Sequence, residues 1–180
     1  MPAKVGKTGF AFLALLWALP AAAQGSGGMV AVEAGGALVH GPDGYDPGVT
    51  AGIEGLHNLD DVWSARGALA LDAARGDGGG WGESVTLELG ASAALDVLRV
   101  IPFAQLGAAV SLGGIGAGTG TSFRLGLHAG LGADYLLDRA WSLGLVLRGR
   151  ILPLRLSGSG PDNDGSAGSL GATLRVGWRF

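Results

Sequence analysis

From residue 28 onward, apolar side chains alternate with polar or very small ones at a period of two, and the alternation breaks at clusters of Gly, Asp and Pro. That period belongs to an extended strand with different surroundings on its two faces. It predicts strands over 29–40, 49–58, 62–75, 81–95, 100–113, 123–137, 141–156 and 169–180. The sixth reads most clearly. Phe123, Leu125, Leu127, Ala129, Leu131, Ala133 and Tyr135 share one face, and Arg124, Gly126, His128, Gly130, Gly132 and Asp134 the other. In the seventh, Pro153 lies within Ile151-Leu152-Pro153-Leu154 and cannot donate a ladder hydrogen bond, which predicts a bulge there.

The connections alternate as well. Glycine- and aspartate-rich segments over 41–48, 76–80, 114–122 and 158–168 follow the odd-numbered strands. Tight turns carrying Asp follow strands two, four and six: Leu59-Asp60-Asp61, Leu95-Asp96-Val97-Leu98-Arg99 and Leu137-Asp138-Arg139-Ala140. Long loops on one rim and short turns on the other are expected of a membrane barrel, and an even strand number puts both ends of the sheet on the short-turn side.

Alternation alone fits a soluble barrel with its apolar face inside or a membrane barrel with that face outside. The polar faces decide between them. They consist mostly of Gly, Ala, Ser and Thr, which suits the crowded lumen of a barrel of about eight strands. With that face inside, Glu33, Glu54, Asp72, Glu88 and Asp134 are enclosed with Arg66, Arg124, Arg148, Arg150 and Arg175. Enclosed charges must be paired, because desolvating an ion costs several kcal/mol. The expectation is a salt-bridged plug, with His128 satisfied inside it. Aromatic residues gather near strand ends, as interfacial girdles require. Trp63, Tyr135, Trp141, Trp178 and Phe180 lie by the short turns, and Tyr45, Trp81 and Phe123 by the long connections. Phe103 is near the short-turn rim with its face undetermined.

The first 23 residues add an address. Lys4 and Lys7 precede the apolar run Phe10 to Leu19, and Pro20-Ala21-Ala22-Ala23 supplies a small-residue cleavage site. A ten-residue run covers about half the roughly 20 residues needed to span a bilayer as a helix. Residues 1–23 therefore read as a cleavable signal peptide and 24–180 as the barrel domain. Both lysines fall in the signal, so ten arginines against fifteen acids leave a net charge of −5 on the remainder. Charged residues make up only 15% of the chain, few for a soluble β-protein with solvated faces. An acidic balance argues against a nucleic-acid partner. The absence of cysteine excludes disulfides, thiolate metal sites and cysteine nucleophiles.

These features together resemble the small eight-stranded outer-membrane barrels related to the transmembrane domain of outer membrane protein A. The residues that carry the resemblance are the Ala94-Leu-Asp-Val-Leu-Arg-Val-Ile-Pro-Phe103 and Tyr135-Leu-Leu-Asp-Arg-Ala-Trp141 turns and the terminal Trp178 and Phe180. The resemblance implies an all-β fold: an eight-stranded, antiparallel, up-and-down transmembrane barrel in the outer membrane of a Gram-negative bacterium. It also implies that Trp178 and Phe180 are read by the barrel-assembly machinery. The family's fuller signal has a glycine five residues before the end, where this chain has Arg175.

Enzymatic chemistry finds little support. Lipid-modifying barrels of the deacylase type carry a His-x-Ser pair, whereas His128 is followed by Ala129 and Gly130. Asp162-Asn163-Asp164-Gly165 lacks the spaced carboxylates of a calcium loop. No cofactor or metal is implied. The expected partners are outer-membrane lipid, the assembly machinery, and an unidentified ligand or surface partner at the connections 41–48, 76–80, 114–122 and 158–168. The expected function is a structural or interaction barrel with a closed lumen. The alternatives are a narrow or gated channel, a lipid-modifying barrel enzyme and a soluble lipocalin-like carrier.

Overall fold

Eight strands whose faces differ in polarity can bury one face by curling into a cylinder, and the chain does so. The structure, a computed structural model, describes residues 27–41, 44–75, 81–95, 99–114, 122–158 and 167–180. The strands are β1 (Gly28–Gly41), β2 (Gly44–Asn58), β3 (Trp63–Arg75), β4 (Trp81–Ala94), β5 (Val100–Gly114), β6 (Ser122–Leu136), β7 (Trp141–Gly158) and β8 (Ala167–Arg179). Each pairs antiparallel with the next, and β8 returns to β1 to close the barrel. The closing ladder runs from Met29 opposite Arg179 to His40 opposite Gly168. Closure removes every sheet edge, which a strand-built membrane protein needs because lipid offers the backbone no hydrogen bonds. The proposed signal segment lies outside the described residues.

The apolar faces point outward. Leu106, Leu127, Leu131 and Leu174 are 64–65% exposed. Their neighbours in sequence, Gln105, His128 and Arg175, are buried on the inside. This orientation excludes the soluble carrier with an apolar lumen.

One predicted connection is not a loop. Residues 41–48 read as a long Gly- and Asp-rich segment, but β1 and β2 stay paired up to Gly41 opposite Gly44. The β2–β3 ladder stops earlier, at Gly48 opposite Ala74. Residues 44–47 thus carry β2 beyond its last described rung with β3, paired with Leu38–Gly41 of β1, of which Leu38, Val39 and His40 also pair with β8. Pro47 lies one residue beyond the last rung with β3 among the described residues, at a ladder end, where a missing N–H is tolerated. Gly44 takes φ 136°, which L-residues avoid, at the turn that reverses the chain. Glycine and aspartate mark turns only by tendency, and a neighbouring strand outweighs them. The segment 76–80, and most of 114–122 and 158–168, lie outside the described residues.

The irregularity expected in strand seven lies where Pro153 predicts it. Across β6, pairing passes from Ser157 to Arg155 opposite the consecutive residues Phe123 and Arg124, and from Leu154 to Ile151 opposite Leu125 and Leu127. β7 therefore carries an extra residue at each of two points.

Two of the short turns are built alike. In Leu59–Val62 the Asp60 carboxylate accepts the backbone N–H of Val62 at 2.8 Å and of Trp63 at 2.7 Å. In Leu137–Ala140 Asp138 accepts those of Ala140 at 2.7 Å and Trp141 at 2.8 Å. The Leu59 and Leu137 N–H groups donate to the carbonyls of Trp63 and Trp141. The shared pattern is Leu-Asp-x-x-Trp. One carboxylate closes the turn and fixes the strand that starts with an interfacial tryptophan. Hydrogen bonds from Trp63 first, then Val62, hold the Asp60 carboxyl below its ordinary value.

Candidate functional site

Inside the barrel, alternation along each strand aims one residue in two at the axis. Glu33 comes from β1, Glu54 from β2, Arg66 and Asp72 from β3, and Glu88 from β4. Gln105 comes from β5, His128 and Asp134 from β6, Arg148 and Arg150 from β7, and Thr173 and Arg175 from β8. All are buried.

Room for these long side chains comes from the residues beside them. Arg66 is opposite Gly90, His128 opposite Gly107, Glu33 opposite Gly52, and Glu54 opposite Ala68. Arg148 lies between Gly130 and Gly171, and Gly144 lies between Asp134 and Arg175. A methyl group on Gly107 would sit 2.6 Å from the His128 Nε2 and 2.7 Å from the Gly90 Cα. Much of the glycine in the strands is therefore space for charge.

The side chains interlock across the lumen. Glu54 is the hub: it meets Arg66 at 2.6 Å, Arg175 at 2.7 Å and Arg148 at 3.2 Å, and accepts from Gln105 at 3.2 Å. Glu88 meets Arg150 at 2.5 Å, Arg66 at 2.8 Å and Arg148 at 3.6 Å. Arg150 continues to Asp72 at 2.8 Å and Arg175 to Asp134 at 2.8 Å. Arg148 also pairs with Glu33, which accepts from Thr173 at 3.2 Å. His128 is wedged between the two halves, its Nε2 3.3 Å from Arg66 and its Nδ1 3.9 Å from Glu88. Through these shared partners the four arginines and five carboxylates form one connected network.

Apolar layers lie to either side of this waist. Towards the short turns, Met29, Ile101 and Phe103 are buried, and the Arg175 guanidinium lies 4.5 Å from the centroid of the Phe103 ring. That contact places Phe103 inside. Towards the opposite rim, Ala37, Val39 and Ala74 form an apolar cluster. Side chains in the ion pairs are at most 7% exposed.

Arg124 is placed differently from the other four arginines. It is half-buried near the outer end of β6, with Arg155 as its ladder partner on β7. Sequence reasoning missed Gln105, Met29 and Ser142 as lumen residues. In strand five, Ala104, Gly107, Ala108 and Ala109 are small on both faces, so the alternation that would have marked Gln105 is faint. At the short-turn end Trp63, Tyr135, Trp141, Trp178 and Phe180 project outward, 39–51% exposed, and the rings of Trp178 and Phe180 lie tilted to each other with centroids 5.1 Å apart. At the other end Tyr45 faces outward beside His40, their rings 5.0 Å apart, and Phe123 is half-buried. Trp81 opens β4. Among the described residues no group of three or more His, Asp or Glu is placed to hold a metal ion.

The fold is that of the eight-stranded outer-membrane barrels. The Neisserial surface protein A structure superposes with a TM-score of 0.60 at 18% identity, over 85% of this chain and 97% of that one. Ail, the attachment invasion locus protein of Yersinia pestis, gives 0.55 at 15% identity, over 86% and 99%. The N-terminal β-barrel domain of Pseudomonas aeruginosa OprF gives 0.54 at 19% identity, over 85% and 99%. No protein-family model matches the sequence, and no curated protein matches it.

Proposed function

We propose that the protein is an integral outer-membrane barrel of the structural and interaction type, exported by residues 1–23 and inserted as residues 24–180. The carrying observation is the pairing of an apolar outer wall with a lumen closed by ion pairs. Hydrocarbon is the solvent that such a wall fits. A lumen of interlocked guanidinium–carboxylate pairs is costly to open, because each broken contact leaves a desolvated charge. The protein is not an enzyme on this reading, and its exchange with the surroundings is through the connections at the rim opposite the short turns. Those are 76–80, 114–122 and 158–168 together with the start of β2 at 44–47. Trp178 and Phe180 end the strand offered to the assembly machinery. The likeness of fold to outer-membrane proteins of Gram-negative bacteria supports the location.

The test is reconstitution. Refolded protein is expected to show heat-modifiable migration on a gel, as a closed hydrogen-bonded barrel does, and no steady conductance in planar bilayers. A stable unitary conductance would instead favour the narrow channel.

A further inference from the structure

His128 is the one side chain of the waist whose ordinary titration falls near neutral pH, and its neighbours fix which ring nitrogen carries the hydrogen. Its Nε2 lies 3.3 Å from Nη1 of Arg66. A guanidinium only donates, so Nε2 accepts and the hydrogen of the ring is left on Nδ1. Nδ1 lies on the Glu88 side, 3.9 Å from Oε2.

The strands packed around the ring leave no place for a second hydrogen. On β6 itself the inner neighbours are Gly126 and Gly130, and β5 presents Gly107 opposite the ring. Arg150 is the ladder partner on β7, with Arg148 two residues along, and β3 contributes Arg66. Among the described residues Glu88, on β4, is the one carboxylate within 4 Å of the ring nitrogens. It already meets Arg150 at 2.5 Å, Arg66 at 2.8 Å and Arg148 at 3.6 Å. A proton on Nε2 removes the acceptor that Arg66 uses and sets an imidazolium among three guanidiniums that share this carboxylate. The ring is 1% exposed, so water does not screen the contact.

We propose that His128 is a proton-sensitive latch of the waist. With Nε2 accepting, it joins β6 to the Arg66–Glu88 pair of β3 and β4; with Nε2 protonated, it drives Arg66 away and loosens the network. The latch rests on the lumen geometry alone and stands whether or not the barrel conducts.

The test is urea unfolding of the full mature chain in phosphatidylcholine vesicles as a function of pH. Unfolding releases the imidazole, which then takes up a proton below its ordinary value of about pH 6.5. One proton gained on unfolding shifts the equilibrium towards the unfolded chain by a factor approaching about ten per pH unit. His128→Gln cannot titrate, and its side-chain oxygen still accepts from Arg66. Between about pH 6.5 and about pH 5.5 the folding constant of the parent is expected to fall about fivefold further than that of His128→Gln. The other two histidines are His40 and His57, and the double variant His40→Gln, His57→Gln is expected to keep the whole difference. Equal pH slopes in the parent and in His128→Gln overturn the proposal. A second reading needs no change at His128. In the double variant His128 is the single histidine, and nitrogen-15 NMR of the folded barrel at about pH 6 is expected to show hydrogen on Nδ1 alone. A ring carrying both hydrogens, or hydrogen on Nε2 alone, overturns the proposal as well.

Discussion

At the scale of single residues, the barrel interior depends on each charge having its partner. Glu54 holds three arginines, as Glu88 does, so removing it takes a counter-charge from more arginines than truncating Glu33, Asp72 or Asp134, each of which meets one. Breaking one side of a buried ion pair costs about 3–5 kcal/mol. Glu54→Ala is therefore expected to lower unfolding free energy by that order, read by urea titration in lipid vesicles. Arg148→Ala and Arg150→Ala are expected to fall in the same direction, since they release Glu33 and Asp72. A glycine matters here as much as an ion. Gly107→Val would drive a branched side chain into His128 and the Gly90 backbone, and is expected to abolish heat-modifiable folding altogether.

Elements add a different sensitivity, located in the turns. Asp60 is exposed, and its carboxyl is held below its ordinary value by the Trp63 and Val62 N–H groups. The sign follows: a lowered folded-state value stabilises the turn above the ordinary carboxylate range, and the contribution is lost as pH falls through the lowered value. Protection of the Val62 and Trp63 amides, measured against the intrinsic exchange rate at each pH, is expected to fall under acid, and Asp60→Asn to blunt that dependence. Uniform protection from neutral to strongly acidic pH would contradict it. The elements also show what the sequence made legible. Strand number, order and facing followed from alternation, because a two-residue period with one greasy side leaves little choice of orientation. Strands β1 and β2 ran further than expected into 41–48, since hydrogen-bonding to a neighbour decides pairing where composition only leans. The bulge at Pro153 was readable from proline's missing donor. The meeting of Arg124 with Arg155 was not, because a one-residue skip in register leaves no trace in composition.

For the whole molecule, the balance of charge differs from the balance expected of the sequence. Five acids and five arginines suggested neutrality within one plug. The structure joins four arginines to those five acids around His128 and leaves Arg124 near the rim. Which acid meets which arginine could not be read from the chain, since all eight strands contribute to the lumen and lie far apart in sequence. Glu33 illustrates this: its ladder partner is Arg175, yet its ion pair is with Arg148. A connected network spanning the lumen should fail cooperatively. Arg66→Ala combined with Glu54→Ala is expected to cost clearly less than the sum of the two single changes, because the second removes a charge already orphaned. Additive losses in a double-mutant cycle would mean that the pairs act singly.

The chain contains no cysteine, so a single one can be introduced as a reporter at any wall position. Nitroxide labels at Leu131 and, separately, at its neighbour Gly130 read the two sides of β6 in the bilayer. The label at Leu131 is expected to collide freely with dissolved oxygen and hardly at all with a water-soluble nickel chelate, as hydrocarbon contact requires, with no such lipid signature at Gly130. A Leu131 label shielded from oxygen while Gly130 carries the lipid signature would turn the barrel inside out and contradict it.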